Sequence, residues 1–150
     1  YNVHQEGSSD MYYKGANILH TLRQLIENDE LWRSILVGLN KDFYHQTVTS
    51  KQIEDYISEK TKKDLSAFFN QYLRTKNIPI LEFSKTKKGI TFRYTNIVDG
   101  FDMPIKTFIN EKEQWLFPNK EWRTIDFEEE GAEIAFDQNF YIFYKKLMND

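Results

Sequence analysis

A chain of 150 residues has room for one conventional core or two small ones, since domains run from about 50 to 200 residues. Its formal charge of -3 is spread over intermixed acidic and basic residues, so the chain lacks the basic face that a phosphate backbone or an anionic lipid surface requires. No apolar run approaches the roughly 20 residues needed to span a bilayer and no basic-then-apolar leader opens the sequence, so the chain reads as soluble, without nucleic acid or membrane as partner. The absence of cysteine removes disulfides and thiolate chemistry and leaves the compartment undetermined.

The first half carries helical periodicity. Ile18, Leu19, Leu22, Leu25 and Ile26 form one stripe of a helix running from about Met11 to Asn28, with Asp10 as its expected N-cap. Within its first turn Gly15 stands out, because a helical glycine costs roughly 1 kcal/mol relative to alanine. That glycine leads us to expect a close backbone approach there. Asp29 opens a second helix with Leu31, Trp32, Ile35, Leu36 and Leu39 on one side and a stop at Asn40. Thr49-Ser50-Lys51-Gln52 has the form of a capping box and predicts a third helix with Ile53, Tyr56 and Ile57 facing inward. Asp64 caps a fourth, whose apolar face is Leu65, Phe68, Phe69, Tyr72 and Leu73.

The pattern changes at Ile78-Pro79, where proline forbids helix continuation and pushes its predecessor into extended geometry. Short β-rich runs follow: Ile80 to Ser84, Ile90 to Thr95, Ile105 to Ile109, Gln114 to Phe117, Trp122 to Phe127, Ala132 to Phe136 and Phe140 to Tyr144. Lys85 to Gly89 reads as a hairpin loop between the first two. The expected fold is therefore α+β in two parts, an α-helical array over residues 1–77 followed by a small antiparallel β-sandwich over 78–150. With 12 Phe, 9 Tyr and 3 Trp, the aromatic residues are read mainly as core and as packing between the two parts.

Metal-ligand and nucleophile signatures are missing. His4, His20 and His45 do not have the spacing that places two imidazoles on one helical face, and none belongs to a recognisable ligand set. Phosphate-cradling glycine loops and calcium loops are also absent.

The segment Tyr12-x-Lys14-Gly15-Ala16 before an apolar helix resembles the Tyr-x-Lys-Gly-Ala segment of the aminopeptidase N family of zinc metallopeptidases. Leu31-Trp32 to Tyr44, Val48-Thr49 before a helix, and Asp64-Leu65-Ser66-Ala67-Phe68-Phe69-Asn70-Gln71-Tyr72-Leu73 leading to Ile78-Pro79 resemble the end of that family's catalytic domain. The β-rich remainder resembles, less specifically, the small sandwich that follows it.

The resemblance implies that residues 1–77 are the helical end of a thermolysin-like catalytic domain. It implies that Tyr12 is the catalytic tyrosine that hydrogen-bonds the oxyanion of the tetrahedral intermediate, with Tyr13 at a variable position. It also implies a peptide substrate with a free amino terminus, packing against an upstream catalytic domain, and a zinc ion whose ligands and general-base glutamate lie upstream of this chain. The chain is then the carboxyl-terminal part of a zinc aminopeptidase and inactive alone. The rival reading is a non-catalytic helical plus sandwich interaction module. A weaker one is carbohydrate recognition through Trp115 and Trp122, which requires both rings to be exposed and coplanar.

Overall fold

The computed structural model describes residues 9–148. Among the described residues four helices come first: α1 (Asp10–Ile26), α2 (Asp29–Asp42), α3 (Ser50–Thr61) and α4 (Ser66–Arg74). α1 buries Ile18, Thr21, Leu22 and Leu25, whereas Leu19 of the expected stripe is exposed. Its cap position is Ser9, which makes no side-chain cap bond, and Asp10 is instead the first helical residue. The turn into α2 is built by Glu27 in the left-handed region and by Asn28, whose Oδ1 accepts from the Leu31 amide at 2.8 Å. A two-pronged Arg23–Asp29 pair fixes the same corner. α2 continues past Asn40 to Asp42, and of its apolar side chains only Ile35 is fully buried.

Thr49 and Gln52 form the predicted capping box at the start of α3. Asp64 acts from one position further out than expected: Leu65 is the boundary residue of α4, and Asp64 Oδ1 accepts from the Ser66 amide at 2.9 Å. Phe68, Phe69 and Tyr72 are buried as their spacing predicts, but Leu73 is half exposed.

Seven strands follow among the described residues: β1 (Ile80–Lys85), β2 (Gly89–Thr95), β3 (Ile105–Ile109), β4 (Lys112–Leu116), β5 (Arg123–Asp126), β6 (Ile134–Phe136) and β7 (Phe143–Lys146). They form a four-stranded sheet in the order β5-β2-β1-β7 and a three-stranded sheet in the order β4-β3-β6. Phe83 of β1 meets Phe136 of β6 edge-on at 4.9 Å, so the sheets pack on each other.

The antiparallel expectation needs one correction, because β7 runs parallel to β1 with Ile80 opposite Phe143. The reason lies in the helices. Just before β7 the chain is held against them, the Tyr141 amide donating to Thr21 Oγ1 of α1 and the Tyr72 hydroxyl of α4 donating to the Tyr141 carbonyl. β1 also leaves from the helical end, directly after Pro79, so both strands run away from the helices in the same direction.

One core runs through the whole arrangement. Leu22, Ile35, Tyr72, Leu81, Ile90, Phe92, Tyr94, Phe101, Ile105 and Leu116 are all at most 2% exposed and belong to a single apolar cluster. Tyr72 is its hinge point, with its ring against Phe68, Phe101 and Tyr141. Burial pushes its phenol far above the ordinary tyrosine range, so it stays neutral and can donate its hydrogen bond at any working pH.

Candidate functional site

Tyr12 lies in the first turn of α1 with 71% of its surface exposed, and Tyr13 beside it is equally open. Among the described residues neither hydroxyl makes a hydrogen bond. Residues on one helical side recur at i, i+3, i+4 and i+7, and this places Tyr12, Gly15, Ala16 and Leu19 on one face. Tyr12, Ala16 and Leu19 on that face are exposed, and Met11 is exposed beside them. Across the helix pair, Leu36 and Val37 of α2 and Tyr44 after it are exposed as well.

Gly15 does not have the role expected of it within this chain. A Cβ built there meets nothing within 4 Å. The helical glycine that does permit a close approach is Gly38, where a Cβ would overlap the Tyr56 hydroxyl of α3. That hydroxyl donates to Asp42 Oδ2 at 3.1 Å, which draws α3 onto α2. Tyr56 and Gly38 come together only through the packing of two helices, so periodicity alone did not single out Gly38.

Lys14, in contrast, is partnered. Its Nζ donates to the Thr75 carbonyl at 2.8 Å, tying the first turn of α1 to the residue that ends α4. Thr75 is held in turn, since its Oγ1 donates to the Gln71 carbonyl at 2.7 Å and accepts from the Asn77 amide at 3.1 Å. Gln71 is wholly buried and uses both ends of its amide. Nε2 donates to the carbonyls of Asn77 and Asn96, and Oε1 accepts from the Val98 amide at 2.7 Å. In the sequence Gln71 stands only as part of the α4 motif. The available signal was a glutamine set between Phe68-Phe69 and Tyr72 on an otherwise apolar face.

Among the described residues the histidines do not assemble a site. His4 lies outside the described residues. His20 bonds Asn139 at 2.9 Å, and His45 sits in the left-handed region edge-on to Tyr44. Among the described residues no group of three His, Asp or Glu side chains could hold a metal ion. Among the described residues, then, the donors present do not fit zinc.

The two tryptophans do not form an exposed pair. Trp115 is half-buried, edge-on to Phe140 at 5.8 Å and beneath Lys106, while Arg93 covers the face of Trp122 at 4.4 Å. The sequence also gave no warning of a charged ladder across the larger sheet. There Glu82 of β1, 8% exposed, takes Arg93 of β2 on Oε2 and Lys145 of β7 on Oε1. The ordinary signal for such a ladder is opposite charge at facing positions, and it becomes readable only once the registers are known.

No protein-family model matches the chain. It is similar in sequence to a probable aminopeptidase 1 from Sulfurisphaera tokodaii, with 24% identity over 143 residues, covering 91% of this chain and 18% of that protein. Its fold is similar to the crystal structure of Legionella pneumophila aminopeptidase A in complex with aspartic acid, with a TM-score of 0.72 and 18% identity. That similarity covers 95% of this chain and 18% of the other. Both comparisons support an aminopeptidase-like relationship, and the chain spans less than a fifth of the length of these two proteins.

Proposed function

We propose that this chain is the carboxyl-terminal part of a zinc-dependent aminopeptidase of the aminopeptidase N type, and that Tyr12 is its contribution to catalysis. In this reading residues 1–77 are the helical end of a thermolysin-like catalytic domain and 78–150 the sandwich that follows. What carries the reading is the agreement of two features. The Tyr12-x-Lys14-Gly15-Ala16 segment and the α4 motif stand in family order, and sequence and fold comparisons each reach an aminopeptidase.

Tyr12 suits the role assigned to it. A phenol donates a hydrogen bond while remaining neutral near pH 7, and its hydroxyl is uncommitted among the described residues. Aimed at a peptide carbonyl oxygen as that oxygen gains negative charge, a preorganised donor contributes about 3 to 4 kcal/mol to the transition state. Zinc, which the resemblance implies, finds no ligand set among the described residues. The metal is therefore assigned to other segments of the protein, and the role of Tyr12 is derived without it. Met11, Leu19, Leu36 and Val37 are exposed apolar side chains that those segments would cover.

The test is cleavage by the whole protein that carries this chain. Peptides with a free amino terminus should lose their first residue, the same peptides acetylated at that end should stay intact, and this chain alone should cleave neither. Indifference to acetylation would refute an aminopeptidase. A whole protein with no hydrolytic activity would favour the non-catalytic module.

A further inference from the structure

We infer that Lys14 is a positioning residue for Tyr12, holding the first turn of α1 on the end of α4 so that the phenol stays aimed. The inference rests on the role proposed for Tyr12. It starts from the weakness of that turn. Ser9 supplies no side-chain cap, Gly15 lowers helix propensity, Met11, Tyr12 and Tyr13 are exposed, and Ile18 is the first residue of α1 in the buried core. A helix start of this kind frays unless something outside it provides an anchor.

Among the described residues Lys14 provides that anchor. Its ammonium donates at 2.8 Å to a carbonyl 61 residues away, and the residue bearing that carbonyl is fixed by the Thr75–Gln71–Asn77 bonds and through Gln71 to Val98 and Asn96. The carbonyl end of a helix is also where a cation is favoured by the backbone dipoles. Residues two apart on a helix point about 200° away from each other. The side held by Lys14 is therefore nearly opposite the side that presents Tyr12, so the anchor fixes the phenol without covering it.

The experiment measures steady-state kinetics of the whole protein on the best of a set of aminoacyl 4-nitroanilides, comparing Lys14→Met, Lys14→Arg, Tyr12→Phe and the Lys14→Met/Tyr12→Phe double variant. Lys14→Met keeps the aliphatic stem and loses the donor. It should lower kcat roughly 10- to 100-fold with KM within about twofold, because loss of aim costs rate more than binding. Lys14→Arg, which keeps a donor, should recover most of that loss. The double variant should be no slower than Tyr12→Phe alone, since a displaced phenol and an absent one forfeit the same bond. Thermal melts of each variant separate these effects from unfolding.

If Lys14→Met matches the unsubstituted protein while Tyr12→Phe is slow, the inference is wrong and the tyrosine's role stands. Multiplying losses in the double variant, or an arginine variant as slow as the methionine one, would also overturn it. Full activity of Tyr12→Phe would overturn the role of Tyr12 and the inference with it.

Discussion

A glutamine with no exposed surface must place both ends of its amide on partners, and Gln71 does so across the junction between helices and strands. Replacing it with Met keeps the volume and strands the Val98 amide and the Asn77 and Asn96 carbonyls. We expect a loss of about 2 kcal/mol in urea unfolding, typical of a buried bonding group left without its partner. His20→Ala, which breaks only exposed bonds to Asn139 and Gln24, should fall within about 0.5 kcal/mol of the parent. Local rules made other residues readable in advance. The Thr49–Gln52 box and the Asp64–Ser66 bond depend on neighbours three or fewer positions away, so the sequence contains all that they need, although Asp64 sits one position outside the cap. Gly15 and Gly38 show where such reading stops. Both are helical glycines, and only the arrival of Tyr56 from another helix tells which one makes room.

At the scale of elements, the Glu82 ladder joins three strands of the larger sheet. Hydrogen bonds and charge from Lys145 and Arg93 hold the Glu82 carboxyl below its ordinary range despite the opposing effect of burial. A carboxyl with a lowered folded pKa contributes stability that is fully present above its unfolded pKa of about 4.3 and is lost as pH falls through the folded value. Glu82→Gln should therefore lower Tm near neutral pH, with the gap to the parent narrowing as melts move from about pH 5 towards pH 2. A gap unchanged across that range would mean that the ladder's charge carries no stability.

The division near Asn77 concerns elements as well. The helices end at Arg74 and the strands begin at Ile80, yet Tyr72 bonds the Tyr141 carbonyl and stacks on the Tyr141 ring across that junction. If residues 1–77 and 78–150 are two domains, they are docked ones. Limited proteolysis should leave the stretch from Leu73 to Leu81 uncut while cleavage proceeds elsewhere. Early release of two stable halves would contradict the docking. Element types were legible because periodicity is local, and the short strands came within a few residues of their observed bounds. The parallel pairing of β7 was not, since its direction is set by contacts with Thr21 and Tyr72 that lie about 70 to 120 residues away.

For the molecule as a whole, the proposed zinc ligands belong to segments other than the described residues. The purified chain should keep far less than one equivalent of zinc after dialysis against a mild chelator. Stoichiometric retention would return His4, His20 and His45 to consideration. The candidate site was legible only through its resemblance, because an exposed tyrosine at a helix start has no local signature of catalysis, and Lys14 acquires its meaning from a carbonyl 61 residues away. The most direct measurement is kcat of the whole protein carrying Tyr12→Phe, with Tyr13→Phe as control. The change removes one hydroxyl and almost no volume, so melting temperature and zinc content should hold. We expect kcat to fall roughly 100- to 1,000-fold with KM little changed, as for other oxyanion donors. Tyr13, about 100° further round the helix, should tolerate the same change within about twofold. Full activity in Tyr12→Phe, with or without a defect in Tyr13→Phe, would contradict the account.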